Sequence, residues 1–177
     1  MIALVAVVVF GILRGVLLAA IVTLVLLLKA TSNPNVAFLG RIPGTKRYTD
    51  LERHPDNEII EGVLIVRVES AILYFNVENI KEEIWKKING ETRSIKTVIL
   101  DLNSSPHVDI AGARFLKQLF KDLKAKKISL KIAEARSEVR DTLRYENLED
   151  LLGHISRFVS VDDLVVEATT KNSQSNI

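Results

Sequence analysis

At 177 residues the chain is long enough for one sizeable core plus an appendage. Its net charge of +2, with no basic run interleaved with aromatics, gives no nucleic-acid footprint. The absence of cysteine excludes a disulfide scaffold, a thiolate nucleophile and a cysteine-based zinc site. The charges are unevenly spread: Met1 to Leu28 carries one, Arg14, and the remainder reads as an ordinary soluble domain.

The apolar start reads as membrane-embedded, since a crossing needs roughly 20 apolar residues. One long helix would place Arg14 near mid-bilayer, at about 2.5–3.5 kcal/mol. Gly11 and Gly15 flank that arginine, so residues 1–10 and 16–29 read better as two short segments separated by a break. A secretory leader is disfavoured, because its basic region precedes its apolar stretch and this chain starts apolar. The first 47 residues hold Arg14, Lys29, Arg41, Lys46 and Arg47 and no acidic residue. Four of these follow the apolar run, which places the C-terminal side in the cytoplasm by the positive-inside rule. Neither segment matches a bilayer alone. The expectation is one or two transmembrane segments over 1–30 that pack against a membrane core this chain lacks.

Residues 31–59 read as a linker. Thr31-Ser-Asn-Pro-Asn35 stops the helix, Val36 to Leu39 is placed as an edge strand, and the rest as an extended connector. A domain follows over 60–168. Gly62 to Glu69 is read as a buried strand and Ile72 to Phe75 as a second. Asn76 is placed as the N-cap of a helix with Val77, Ile80, Ile84, Trp85 and Ile88 inward. Asn89-Gly90 is its expected stop. Thr97 to Leu102 is a third strand ending near Asp101. A helix from Ile110 to Ala125 turns Ile110, Ala113, Leu116, Leu119, Phe120 and Leu123 inward and Arg114, Lys117, Lys121 and Lys124 outward. Ile128 to Ala133 is a fourth strand, and another helix runs from Ser137 toward a left-handed stop at Asn147. Ser160-Val-Asp-Asp163 is a capping-box start for a last helix through Ala168. Residues 169–177 are expected to be a disordered tail. Alternating strands and helices imply an α/β fold, a mixed β-sheet covered by helices.

The loop-to-helix junction from Ser104 to Gly112 is the best site candidate. Free N–H groups at a helix start favour anions, Gly112 permits close backbone approach, and Asp109 is placed to cap the same terminus. Asp109, Ile110, Ala111 and Gly112 are thus the candidate partner or anion site, with Ser104 and Ser105 as phosphate-accepting candidates. His54, His107 and His154 show no ligand spacing, so no metal is expected. No nucleophile, base and orienter set can be assembled; neither an enzyme nor a cofactor is expected.

The strand ending in Asp101, its polar loop and Asp109-Ile-Ala-Gly112 opening an amphipathic helix resemble the core motif of STAS domains, shared by sulfate transporters and anti-sigma-factor antagonists. The family pattern is Asp, any residue, Ser or Thr, then Gly. Ala111 stands at the hydroxyl position, so the resemblance carries the fold without the phosphorylation switch. Leu39-Gly-Arg-Ile-Pro-Gly-Thr45, Tyr48 and His54-Pro55 are similar to the linker ahead of the STAS domain in SulP anion permeases. The resemblance spans about 36–168. It implies the C-terminal portion of a secondary transporter of inorganic anions, sulfate or a related anion such as bicarbonate, whose STAS domain serves assembly and regulation. Implied partners are the membrane, the remainder of the permease, and a homodimer mate or regulatory protein. The implied location is an inner or plasma membrane with the STAS domain cytoplasmic. The alternative is a membrane-tethered STAS regulatory module of the antagonist type that binds a protein partner; Ala111 counts against it.

Overall fold

The computed structural model describes residues 12–153, 155–156 and 158–174. The chain divides into two units, one ending at Asn33 and one beginning at Pro34.

In the first unit, α1 (Ile12–Ser32) runs through Arg14 and Gly15 without interruption, so the expected break does not fall at these two residues; Gly11 lies outside the described residues. A single arginine and glycine do not stop a helix whose following residues are mostly Leu, Val, Ile and Ala, because every backbone bond is still made. Its large apolar side chains are exposed, Leu13 at 83% and Leu27 at 63%; a helix apolar on all sides calls for an apolar surround. No helix among the described residues is long and apolar enough to cross a membrane. The uncharged run from Gly15 to Leu28 extends about 21 Å at 1.5 Å per residue, against about 30 Å of hydrocarbon. The apolar sequence continues into Met1 to Gly11, outside the described residues.

The second unit is a five-stranded mixed sheet in the order β2-β1-β3-β4-β5. Its strands are β1 (Val36–Arg41), β2 (Tyr48–Asp50), β3 (Val63–Val68), β4 (Thr97–Asp101) and β5 (Ser129–Ala133). β1 is antiparallel to both neighbours, with Val36 opposite Val68 and Leu39 opposite Ile65. β3, β4 and β5 are parallel, and Arg67, Asp101 and Ala133 form one row across them. The helices are α2 (Val77–Gly90), α3 (Ile110–Ala125), α4 (Ser137–Tyr145), the short α5 (Glu149–Leu152) and α6 (Val161–Gln174).

Period-two alternation divides the core. Leu64, Val66, Val98, Leu100, Leu130 and Ile132 face Ile80 and Ile84 of α2 and Leu116, Leu119 and Leu123 of α3. On the opposite face Ala37, Leu39, Val63, Ile65 and Ile99 pack on Val161, Leu164, Val165 and Ala168 of α6.

Several elements differ from expectation. The segment read as connector contributes β2, and β1 is internal rather than an edge. Gly40 lies where a Cβ would meet Leu51 Cδ2 at 2.5 Å and Asn57 Cβ at 2.9 Å, so the loop after β2 closes directly over β1. Ile72 to Phe75 is not a strand beyond one bridge, Ile72 to Val108. The cause is Asn76: its amide donates to Ala71 O and its Oδ1 accepts from Leu73 N, both at 2.9 Å. That side chain folds the segment into a turn and is unavailable as a helix cap. Gly90 ends α2 without left-handed geometry, and Glu91 follows in extended conformation. Asn147 is left-handed at φ 57°, after α4. α6 continues past Ala168 to Gln174, and 175–177 lie outside the described residues.

Candidate functional site

The junction between β4 and α3 is built around one carboxylate. Asp109 sits in extended conformation as the N-cap of α3. Its Oδ1 accepts from Gly112 N at 2.7 Å and its Oδ2 accepts from Tyr74 N at 2.9 Å. Its own N–H donates to Ile72 O at 3.1 Å, while Ile72 N donates to His107 O at 2.9 Å. Asp109 thus ties the first turn of α3 to the turn before α2, and a negative charge already occupies the positive end of the helix dipole. The Asp109→Ala variant strips a charged acceptor from two N–H groups. Cap loss costs about 1 kcal/mol and the second charge-assisted bond about as much again. Urea unfolding of the full chain in mild detergent is expected to show about 2 kcal/mol of lost stability.

Gly112 meets the expected close approach, but to backbone within the fold: a Cβ there would lie 2.6 Å from Ile72 O. Ala111 is half-buried. Ile110, expected inward, is 48% exposed, because the buried stripe of α3 begins at Gly112 and includes Phe115. Tyr74, beside Asp109 through its backbone, is 72% exposed. The junction therefore presents Tyr74 and Ile110 outward while the Asp109 carboxylate is bonded within the fold.

The two candidate serines differ. Ser105 is buried and its hydroxyl donates to Val68 O at 3.0 Å, leaving half-buried Ser104 the more accessible. His107 places Nδ1 3.1 Å from Glu138 rather than beside Asp109. His54 is exposed, and His154 lies outside the described residues. Among the described residues there is no cluster suited to a metal ion. On the outer face of α3, Arg114 pairs with Glu146 at 3.3 Å and Lys117 donates to Glu146 O at 2.9 Å.

Sequence reasoning singled out Asp101 but missed its partner. Arg67 Nε and Nη2 both reach Asp101 Oδ2, at 2.8 and 2.7 Å, and Asn103 N donates to Oδ1 at 2.9 Å. Two charges at matching ends of adjacent strands were a legible signal once those strands were taken as neighbours. Asn76, the turn-forming residue, carried no signal distinguishing it from an ordinary cap.

Residues 54–163 match the STAS domain family. The chain is 29% identical over 177 residues to the chloroplastic sulfate transporter 4.1 of Arabidopsis thaliana, covering 95% of this chain and 26% of that protein. It is 31% identical over 159 residues to high affinity sulfate transporter 2 of Stylosanthes hamata, covering 85% and 24%. The chain thus spans about a quarter of the length of these curated relatives. Among solved structures, the fold is shared with a murine Solute Carrier 26 anion transporter in the inward-facing state. That match has a TM-score of 0.84 at 18% identity, over 96% of this chain and 28% of that one. It is shared also with the STAS domain of a SulP transporter from Vibrio cholerae, with a TM-score of 0.55 at 18% identity, over 70% and 94%. With its mixed sheet, its Asp109-capped α3 and the family match over more than half its length, the chain belongs to the STAS domain family.

Proposed function

We propose that this chain is the C-terminal portion of a SulP-type secondary transporter of inorganic anions, sulfate or a related anion. Its STAS domain would serve assembly and regulation of the permease on the cytoplasmic side. The observation that carries this is the extent of the likeness to sulfate transporters. It covers 95% of the chain, and so reaches beyond the STAS domain into the apolar N-terminal unit. A module that only regulates a soluble partner has no need of that unit. In this reading Met1 to Ser32 anchors the domain among the membrane helices of the permease. Tyr74 and Ile110, with Asp109 to Gly112 behind them, form the contact for a second STAS domain or a regulatory protein; exposed aromatic and branched side chains on a rigid junction suit such a role.

The test is the size of the native polypeptide in its source membranes, detected with an antibody to residues 60–168, followed by anion uptake by that polypeptide in vesicles. A species several times larger than 19.8 kDa that takes up sulfate or bicarbonate supports the reading. A species of 19.8 kDa, or a larger one that moves neither anion, overturns it.

A further inference from the structure

A cleft of about 440 Å³ opens on the α6 face of the sheet, bounded by the β1–β2 turn, the carboxyl ends of β3 to β5 and the start of α6. Ligands of open α/β sheets bind beyond the carboxyl ends of the strands, and the volume falls within the roughly 300–1,000 Å³ of small-molecule sites. The Arg67–Asp101 pair lies among its lining residues. At the start of α6, Asp162 accepts from Tyr48 OH at 2.9 Å and has Lys46 Nζ at 3.9 Å. Two lining charges then remain without a hydrogen-bond or ion-pair partner among the described residues: Arg47 in the β1–β2 turn and Glu134 just past β5.

Glu134 is held in place. Its backbone is left-handed at φ 56°, a conformation a non-glycine residue adopts at a cost, and its N–H donates to Val159 O at 3.1 Å. Its carboxyl is pushed above the usual range, first by burial and then by Asp101 and Asp163, with Arg67 opposing. The charges that line the cleft or act on Glu134 are Arg67 from β3, Asp101 from β4, Lys46 and Arg47 from the β1–β2 turn, and Asp162 and Asp163 from α6. A purely anionic ligand would meet Asp101, Glu134 and Asp162; a purely cationic one would meet Lys46, Arg47 and Arg67. A molecule carrying both charges satisfies the two unpaired groups at once.

We propose that this cleft binds a small zwitterion, its ammonium group on Glu134 and its acid group on Arg47. Such a site would let the STAS domain respond to a soluble metabolite independently of the Tyr74–Ile110 surface.

The test is an NMR titration of the full chain in detergent micelles with glycine, 4-aminobutyrate and 6-aminohexanoate, which differ in charge separation. Butylamine and butyrate serve as single-charge controls. At least one amino acid is expected to shift the Thr49, Glu134 and Ser160 amides saturably, with each control about tenfold weaker or worse. Glu134→Gln and Arg47→Gln are each expected to weaken binding about tenfold while keeping the native spectrum. The bound ammonium also favours ionised Glu134, so the pH midpoint of its carboxyl carbon should fall on binding. A structural role alone would not move it. Absence of saturable shifts with all three amino acids overturns the proposal. So does undiminished binding by Glu134→Gln, or equal binding of either single-charge control.

Discussion

Asp101→Ala is expected to lower the stability of the chain by about 3 kcal/mol, read as a fall in the urea midpoint at unchanged slope. Asp101 is 1% exposed, in the central parallel strand. Its removal leaves the Arg67 guanidinium without its carboxylate and Asn103 N without its acceptor. Breaking a buried pair typically costs about 3–5 kcal/mol. Arg67 retains 22% exposure toward the cleft, so water compensates in part and the lower end applies. Asp101→Asn keeps one uncharged acceptor, enough for Arg67 or for Asn103 N but not for both, and should cost less than Asp101→Ala, about 2 kcal/mol. The double variant Arg67→Met with Asp101→Leu removes both charges together and should recover most of the loss, because replacing a buried pair by apolar groups is often near neutral. If the double variant is as unstable as Asp101→Ala, the loss belongs to the Asn103 bond and not to the unpaired arginine.

The parts of this fold that could be read in the sequence are those where a period and a cap agree. Ile80 and Ile84 in α2, and Leu116, Leu119 and Leu123 in α3, repeat at helical spacing and are buried. Ser160 and Asp163 form the reciprocal capping box their spacing implies, with Ser160 N donating to Asp163 Oδ2 at 3.0 Å and Asp163 N to Ser160 Oγ at 3.2 Å. Where tertiary bonds decide, local pattern misleads. Ile72-Leu-Tyr-Phe75 has the composition of a strand, yet Asn76 closes it into a turn, and Ile72 is buried by its bridge to Val108. β2 is three residues long and alternates too briefly to register as a strand. The junction at Asp109 was legible as a motif; its inward bonding to Tyr74 N was not, because that partner lies 35 residues away in sequence. The cleft is assembled from five separated segments, and no one of them carries a recognisable ligand pattern.

Substituting alanine for glycine at two helical positions should give opposite signs, and the pair tests why the family motif ends in glycine. At Gly90, the last residue of α2, an added Cβ meets nothing within 4 Å. Gly90→Ala should therefore stabilise by about 0.5 kcal/mol, by narrowing the unfolded ensemble and favouring the helix. At Gly112 the same methyl would sit 2.6 Å from Ile72 O and 3.0 Å from both Ile72 Cγ2 and Val108 Cγ1. The first of these is backbone, and it already accepts from Asp109 N, so it cannot yield without loosening the Asp109 link between α3 and the 72–76 turn. Overpacking of this kind costs about 1–3 kcal/mol, and the helix-propensity gain of about 1 kcal/mol offsets only part once the hydrogen bonds are strained. Gly112→Ala is expected to destabilise by about 1 kcal/mol net. It should also speed amide exchange at Tyr74 and Gly112, whose N–H groups share the Asp109 carboxylate. A neutral or stabilising result would mean that the first turn of α3 can slide away from Ile72. In that case glycine in the motif would answer to a ligand or partner approaching the helix start, not to the packing of the domain.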